Sequence, residues 1–104
     1  MEVIVIWTES AIAELQNIHD YFAEKAGGSV ANKITDTIVD RSLMLEQAPR
    51  AGQVEELLKH CIVEVRYLVE GNYKIVYMID KHLVVILTVF DCRQNPSKLK
   101  KKRI

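Results

Sequence analysis

Apolar residues recur at helical spacing through the first half of the chain, after a short β-branched segment. Residues 3–7 are apolar throughout, as in a strand that is buried on both faces. Thr8 or Ser10 can cap a helix that follows, because either hydroxyl can accept a hydrogen bond from a free backbone N–H. One face of this helix is apolar, at Ala11, Leu15, Ile18 and Phe22.

A second helix is predicted between Gly27-Gly28 and Pro49. The glycines end the first helix, Ser29 is expected to cap the second, and Pro49 excludes the helical conformation for the residue before it. The apolar positions of this second helix are Ala31, Ile34, Ile38 and Leu45. Two helices joined by about two residues form an antiparallel hairpin.

The second half of the chain alternates as strands do. Turns are predicted at residues 70–72 and 80–82, and they delimit strands at residues 61–69, 73–79 and 83–90. In the first of these strands, the odd-numbered positions from Cys61 to Val69 are apolar and are expected to face the core. The order β-αα-βββ predicts an α+β fold, in which a helical hairpin covers one face of a mainly antiparallel sheet.

The composition predicts one domain with a separate basic end. The 104 residues carry no net charge, but residues 1–97 have a charge of −5 and residues 98–104 a charge of +5. We therefore predict a domain at residues 1–97 and a tail at 98–104, which is either a solvated end or an electrostatic contact for an acidic partner or nucleic acid. The tail's basic residues are Lys98, Lys100, Lys101, Lys102 and Arg103.

The same composition argues against a membrane protein. The longest apolar run has five residues, and no secretory signal is visible. We therefore expect a cytoplasmic protein with no membrane partner. In that compartment, Cys61 and Cys92 should be reduced thiols. A homo-oligomer remains possible.

The sequence gives little support for a metal site or for a catalytic nucleophile. The three histidines are scattered, none is at ligand spacing from a cysteine, and there is no GxSxG motif, so we expect no metal and no cofactor. Arg66, Lys74 and Arg93 lie in strands or at a strand end, and Arg66 is expected to point away from the core. Together they could form a cationic cluster that binds phosphate or stabilises a phosphoryl-transfer transition state. The pattern alone favours the alternative, three solvated charges.

Several short motifs occur in an order that resembles toxins of the RelE/ParE superfamily. They are Trp7-Thr8-Glu9-Ser10-Ala11, Leu15-x-x-Ile18-x-x-Tyr21, Pro49-Arg50-Ala51-Gly52, Tyr73-Lys74-Ile75-Val76-Tyr77, the strand at 84–90 and Arg93-Gln94-Asn95-Pro96. The resemblance covers nearly all of residues 2–97. It implies the toxin of a type II toxin–antitoxin, plasmid-stabilisation module that inhibits growth and is neutralised by a co-encoded antitoxin.

The resemblance implies two alternative activities. ParE-like members inhibit DNA gyrase, whereas RelE-like members are metal-independent endoribonucleases that cleave mRNA on the ribosome with Lys, Arg and Tyr side chains. Lys74 and Arg93 match two nuclease arginines, but Glu64 stands among positions where nucleases carry lysines, and residues 91–104 contain no tyrosine. These departures favour the non-enzymatic gyrase inhibitor, with Arg93 and the tail binding a partner. The nuclease, for which Arg66, Lys74 and Arg93 are the catalytic candidates, and an inactive interaction module stay open.

Overall fold

A helical hairpin packs on a five-stranded sheet in the computed structural model, which describes residues 2–55 and 63–93. The elements, in chain order, are β1 (Ile4–Trp7), α1 (Glu9–Ala26), α2 (Gly28–Leu43), a 3₁₀ turn (Met44–Glu46), β2 (Gln53–Val54), β3 (Glu64–Glu70), β4 (Tyr73–Asp80) and β5 (Leu83–Asp91). The strand order is β1-β5-β4-β3-β2. Strand β1 runs parallel to β5, and the other neighbours are antiparallel. The predicted α+β fold is confirmed, with β2 as an additional two-residue strand at one edge.

Thr8 fixes the start of α1 and joins it to the sheet. Its hydroxyl accepts a hydrogen bond from the Ala11 N–H at 3.1 Å and lies 3.0 Å from the Ile86 carbonyl oxygen, to which it donates. Of the two residues predicted to cap α1, Thr8 and Ser10, Thr8 is therefore the N-cap. The predicted cap at Ser29 is wrong, because α2 already begins at Gly28 and Gly27 precedes it without a side-chain cap. Gly27 has a φ of 96°, so this one residue makes the reversal between the helices.

The main core lies between the helical hairpin and the sheet. Buried residues from every layer contribute to it, among them Ala11, Ile38, Leu45, Leu68, Ile75, Tyr77 and Ile86. Leu15, Ile18 and Ile34 pack against its edge, as the helical spacing predicted. No helix in the described part of the chain has the length and apolarity needed to cross a membrane.

The predicted facing of β3 is wrong. Leu68 contacts the core beneath the helices, whereas Val65, Val63 and Tyr67 belong to a second apolar cluster on the opposite side, which we call the open face. The alternation of residues along β3 did not identify the side that faces the helices, because both faces of the sheet are apolar. Two of the charged residues on the helix side, Glu64 and Arg66, lie near the start of β3, where the segment before β2 supplies partners for them. Cys61 lies outside the described residues.

A β-bulge in β5 fastens α1 to the middle of the sheet. The register between β4 and β5 shifts after Val76, which pairs with Thr88 while Tyr77 pairs with Ile86. The Glu14 carboxylate of α1 accepts hydrogen bonds from the Thr88 hydroxyl at 2.8 Å and from the Val89 N–H at 3.2 Å. The bulge thus gives a buried hydroxyl and a backbone donor a charged acceptor on the helix.

Candidate functional site

The three cations of the hypothetical cluster do not come together. Arg66 lies on the helix side of β3, while Lys74 lies on the open face of β4, and Arg93 follows the end of β5. The expectation that Arg66 points away from the core is wrong, for the same reason that the facing of β3 is wrong. Each of the three side chains instead binds a carboxylate of this chain.

Arg66 is part of an Arg–Glu–Arg arrangement. Its Nε lies 2.6 Å from Glu64 Oε2, and the guanidinium of Arg50 approaches the same carboxylate at 3.0 Å. Hydrogen bonding from Arg66, supported by Arg50, holds the pKa of Glu64 below its usual value, against the opposing effect of burial. A second nitrogen of Arg66 donates to the Gly52 carbonyl oxygen at 2.7 Å. Glu64 therefore connects β3 to the turn at residues 49–52.

That turn is closed by Tyr77, which lies in the middle of β4. The Tyr77 hydroxyl donates to the Pro49 carbonyl oxygen at 2.7 Å and accepts a hydrogen bond from the Gly52 N–H at 3.0 Å. A methyl group at Gly52 would lie 2.6 Å from both the Tyr67 carbonyl oxygen and the Tyr77 hydroxyl, so only glycine fits there. Burial raises the pKa of Tyr77, so the phenol stays protonated and can donate.

The sequence analysis did not identify this role of Tyr77. The Pro49–Gly52 motif was visible in the sequence, but its partner lies 25 or more residues away, and no local pattern connects the two. Arg50, whose side chain is 62% exposed, is the charged residue that this turn presents to solvent.

Lys74 forms the most buried of these ion pairs. Its Nζ lies 2.7 Å from Oε2 of Glu55 and 4.0 Å from the centroid of the Tyr67 ring. The Tyr67 hydroxyl in turn donates to Oε1 of Gln53 at 3.0 Å. Sequence reasoning did not identify Glu55, since it lies just after an unpredicted two-residue strand.

Arg93 makes an exposed ion pair at the end of β5. Its side chain is 71% exposed, and its Nε and backbone N–H lie 2.9 and 2.8 Å from Asp91 Oδ1. These hydrogen bonds from Arg93 lower the pKa of Asp91 to about 2. The pair borders a groove of about 390 Å³ between α1 and the ends of β4 and β5. Four aromatic residues contribute to its lining: Tyr21, Phe22, Tyr73 and Phe90. Arg93 is thus available to a partner, although not at the same place as Arg66 or Lys74.

The arrangement is suited to binding a partner more than to phosphoryl chemistry. A phosphate group could reach Lys74 or Arg66 only by displacing the carboxylate with which each of them already forms a close ion pair. Among residues 2–55 and 63–93, no three His, Cys, Asp or Glu side chains converge on a metal position. Lys98, Lys100, Lys101, Lys102 and Arg103 lie outside the described residues, so their role in binding stays a prediction.

One family model matches most of the chain, and two solved structures share its fold. The model of the family described as "ParE toxin of type II toxin-antitoxin system, parDE" matches residues 5–96. A chain of the chromosomal ParDE toxin–antitoxin system from P. aeruginosa superposes with a TM-score of 0.70 at 21% identity, covering 86% of this chain and 96% of that one. A chain of the RelBE2 toxin–antitoxin complex from Mycobacterium tuberculosis gives 0.59 at 24% identity, covering 88% and 92%. A sequence search of curated proteins finds no match.

Proposed function

The chain belongs to the ParE toxin family of type II toxin–antitoxin systems, and from this premise we propose that it arrests growth by inhibiting DNA gyrase without performing a chemical step. A co-encoded antitoxin neutralises it. Its place of action is the cytoplasm, where gyrase works. The two superposed structures support the fold, and the target is argued below from the residues of this chain.

The main observation behind the proposal is that carboxylates of this chain neutralise the candidate catalytic cations. Nucleolytic cleavage needs cationic groups free to contact the phosphate, and a group placed to move a proton. Here Arg66 is held by Glu64, and Lys74 by Glu55, on opposite faces of the sheet. The two side chains therefore cannot contact the same phosphate without rearrangement.

Two exposed cationic features support binding to a protein surface instead. Arg50 is presented by the turn that Tyr77 closes, and Arg93 borders the aromatic groove beside α1. Aromatic and arginine side chains are the types that contribute most to protein interfaces. We infer that a partner, either the target or the acidic segment of an antitoxin, contacts Arg93 and the basic residues at 98–104.

Induced expression with and without the antitoxin gene tests the toxin assignment. We expect growth to stop when the toxin alone is expressed and to continue when both genes are expressed together. Unimpaired growth on expression of the folded toxin alone would contradict the proposal and favour an inactive interaction module.

A ribosome assay separates the two toxic activities. Purified protein added to translating ribosomes should leave the mRNA intact. Codon-dependent cuts that disappear in Lys74→Gln would instead identify a RelE-like endoribonuclease and reverse the assignment of the target.

A further inference from the structure

Strand β1 forms one edge of the sheet and has no neighbouring strand on its outer side in the described part of the chain. Residues 3–7 are apolar throughout, so this edge lacks the charged side chains and prolines with which proteins usually prevent an edge strand from pairing. The strand at the other edge, β2, has only two residues, and one of them is the polar Gln53. The outer side of β1 is therefore the edge to which a further strand could be added.

The hydrogen bonds of β1 show which of its backbone groups remain available. The Ile4 N–H donates to the His82 carbonyl oxygen at 2.9 Å, on the side of β5. The Thr8 N–H donates to the Ile86 carbonyl oxygen at 3.1 Å, on the same side. Because successive residues of a strand direct their N–H and C=O groups to opposite sides, those of Val5 point outward. Such a row of donors and acceptors binds an extended chain that lies beside it.

The side chains of the edge indicate that the added strand belongs to a second copy of this chain. Val3, Val5 and Trp7 pack against the main core, so Ile4 and Ile6 lie on the open face, where they are 47% and 43% exposed. If two β1 strands pair antiparallel about a two-fold axis through Val5, Ile4 of each copy faces Ile6 of the other. Val3 then faces Trp7, so every apolar residue of the edge has an apolar partner. The edge is thus complementary to itself.

Other registers of the same pair match less well. An axis through Ile4 would place the charged Glu2 opposite Ile6. An axis through Ile6 would place Glu9 opposite Val3. The axis through Val5 alone pairs residues 3–7 with themselves and leaves both carboxylates outside the paired segment, where water can solvate them.

We propose that the free toxin forms a homodimer in which two β1 strands pair antiparallel about Val5 and join the two sheets into one. The interface is small, because each copy contributes one short strand, so the dimer is weak and its population depends on concentration. This inference goes beyond the proposed function. It uses neither Arg50 nor Arg93, to which partner binding is assigned, and it holds whichever protein the toxin inhibits.

Sedimentation equilibrium of the purified chain, in the absence of antitoxin, tests the proposal directly. Concentrations from about 1 to 200 μM cover the range in which a small interface of this kind associates. We expect the weight-average mass to rise with concentration from the 11.9 kDa of one chain toward twice that value. A mass that stays at one chain throughout this range would overturn the proposal.

Charge substitutions at positions 4 and 6 test the register. In Ile4→Lys/Ile6→Lys, like charges face each other across the axis, so the dimer should weaken. In Ile4→Glu/Ile6→Lys, the carboxylate at position 4 of each copy faces the ammonium group at position 6 of the other. This second variant should dimerise about tenfold more tightly than the first, which corresponds to about 1.4 kcal/mol. Equal dissociation constants for the two variants would refute the pairing about Val5.

Ile12→Lys/Val30→Lys is the matched control. It places two lysines at exposed apolar positions of α1 and α2, 54% and 41% exposed, outside the edge. This variant should dimerise as the wild type does. A loss of dimer equal to that of Ile4→Lys/Ile6→Lys would mean that added charge alone weakens association, and it would overturn the role of β1.

Hydrogen exchange of the wild type gives a decisive result even if an edge variant does not fold. The amides of Val5 and Trp7 should exchange more slowly as the protein concentration rises, because pairing gives them acceptors. Exchange that does not change with concentration would refute the homodimer. Protection of these amides only after the antitoxin is added would assign the edge to the antitoxin and would overturn the proposal as well.

Discussion

Removing the Tyr77 hydroxyl should lower the free energy of unfolding substantially, although it removes only one oxygen atom. This hydroxyl makes two hydrogen bonds, to the Pro49 carbonyl oxygen and from the Gly52 N–H. Each net hydrogen bond contributes about 1 kcal/mol, and a buried donor left without a partner costs about 1–3 kcal/mol. Gly52 is buried, so water cannot readily replace the lost acceptor. We expect Tyr77→Phe to lower the free energy of unfolding by about 2–4 kcal/mol.

Urea denaturation measures this effect, with the fluorescence of Trp7 as the signal, because Trp7 packs against the main core. For a domain of this size, the expected loss of unfolding free energy corresponds to a decrease of roughly 10–25 °C in melting temperature. Tyr21→Phe is the control, since Tyr21 is 57% exposed. A Tyr77→Phe protein within about 0.5 kcal/mol of the control, the range of ordinary surface substitutions, would refute the idea that Tyr77 closes the turn.

Three further predictions follow from packing, titration and charge. Leu15→Asp should cost several kcal/mol in chemical denaturation because it places a charge against the core, whereas Ile12→Asp, at a 54% exposed position of the same helix, should cost little; equal losses would contradict the facing of α1. Asp91 has a pKa of about 2 in the folded protein against 3.8 ordinarily, so its stabilising effect is present above about pH 4 and is lost as the pH falls toward 2; acid titrations of stability should therefore be shallower in Asp91→Asn, and an unchanged slope would contradict the Asp91–Arg93 pairing. Replacing Lys100, Lys101 and Lys102 with Ala should slow association with the antitoxin at low salt, have little effect at high salt, and leave the melting temperature unchanged; unaltered association at low salt would leave the tail without a binding role.

Much of the fold could be predicted from local signals in the sequence. The helical stripe of α1, the Gly27-Gly28 reversal and the turns at 70–72 and 80–82 each depend on residues close together in the chain. Their physical causes are local too: amphipathic spacing, and glycine's tolerance of a positive φ.

The errors arose where the cause was not local. Alternation in β3 could not reveal which apolar face the helices cover, because Leu68 on one face and Val65 on the other are equally buried. The error at Ser29 was instead local, because Gly27 alone makes the reversal and α2 already begins at Gly28.

The candidate site was less predictable than the fold for the same reason. Several contacts that define it join distant residues: Tyr77 to Pro49, Arg66 to Gly52, and Lys74 to Glu55. Sequence analysis identified the cations but did not predict that carboxylates of this chain hold them. The motif resemblance located the turn at 49–52 without revealing that a buried tyrosine closes it.

The supercoiling activity of DNA gyrase, titrated with the purified toxin, tests the central claim most directly. A binding inhibitor acts stoichiometrically, so supercoiling should decline in proportion to added toxin and level off once every gyrase molecule is occupied. Prior mixing with the antitoxin should abolish the effect. Full gyrase activity at a large molar excess of folded toxin, together with cleavage of mRNA on ribosomes by substoichiometric amounts, would contradict the account.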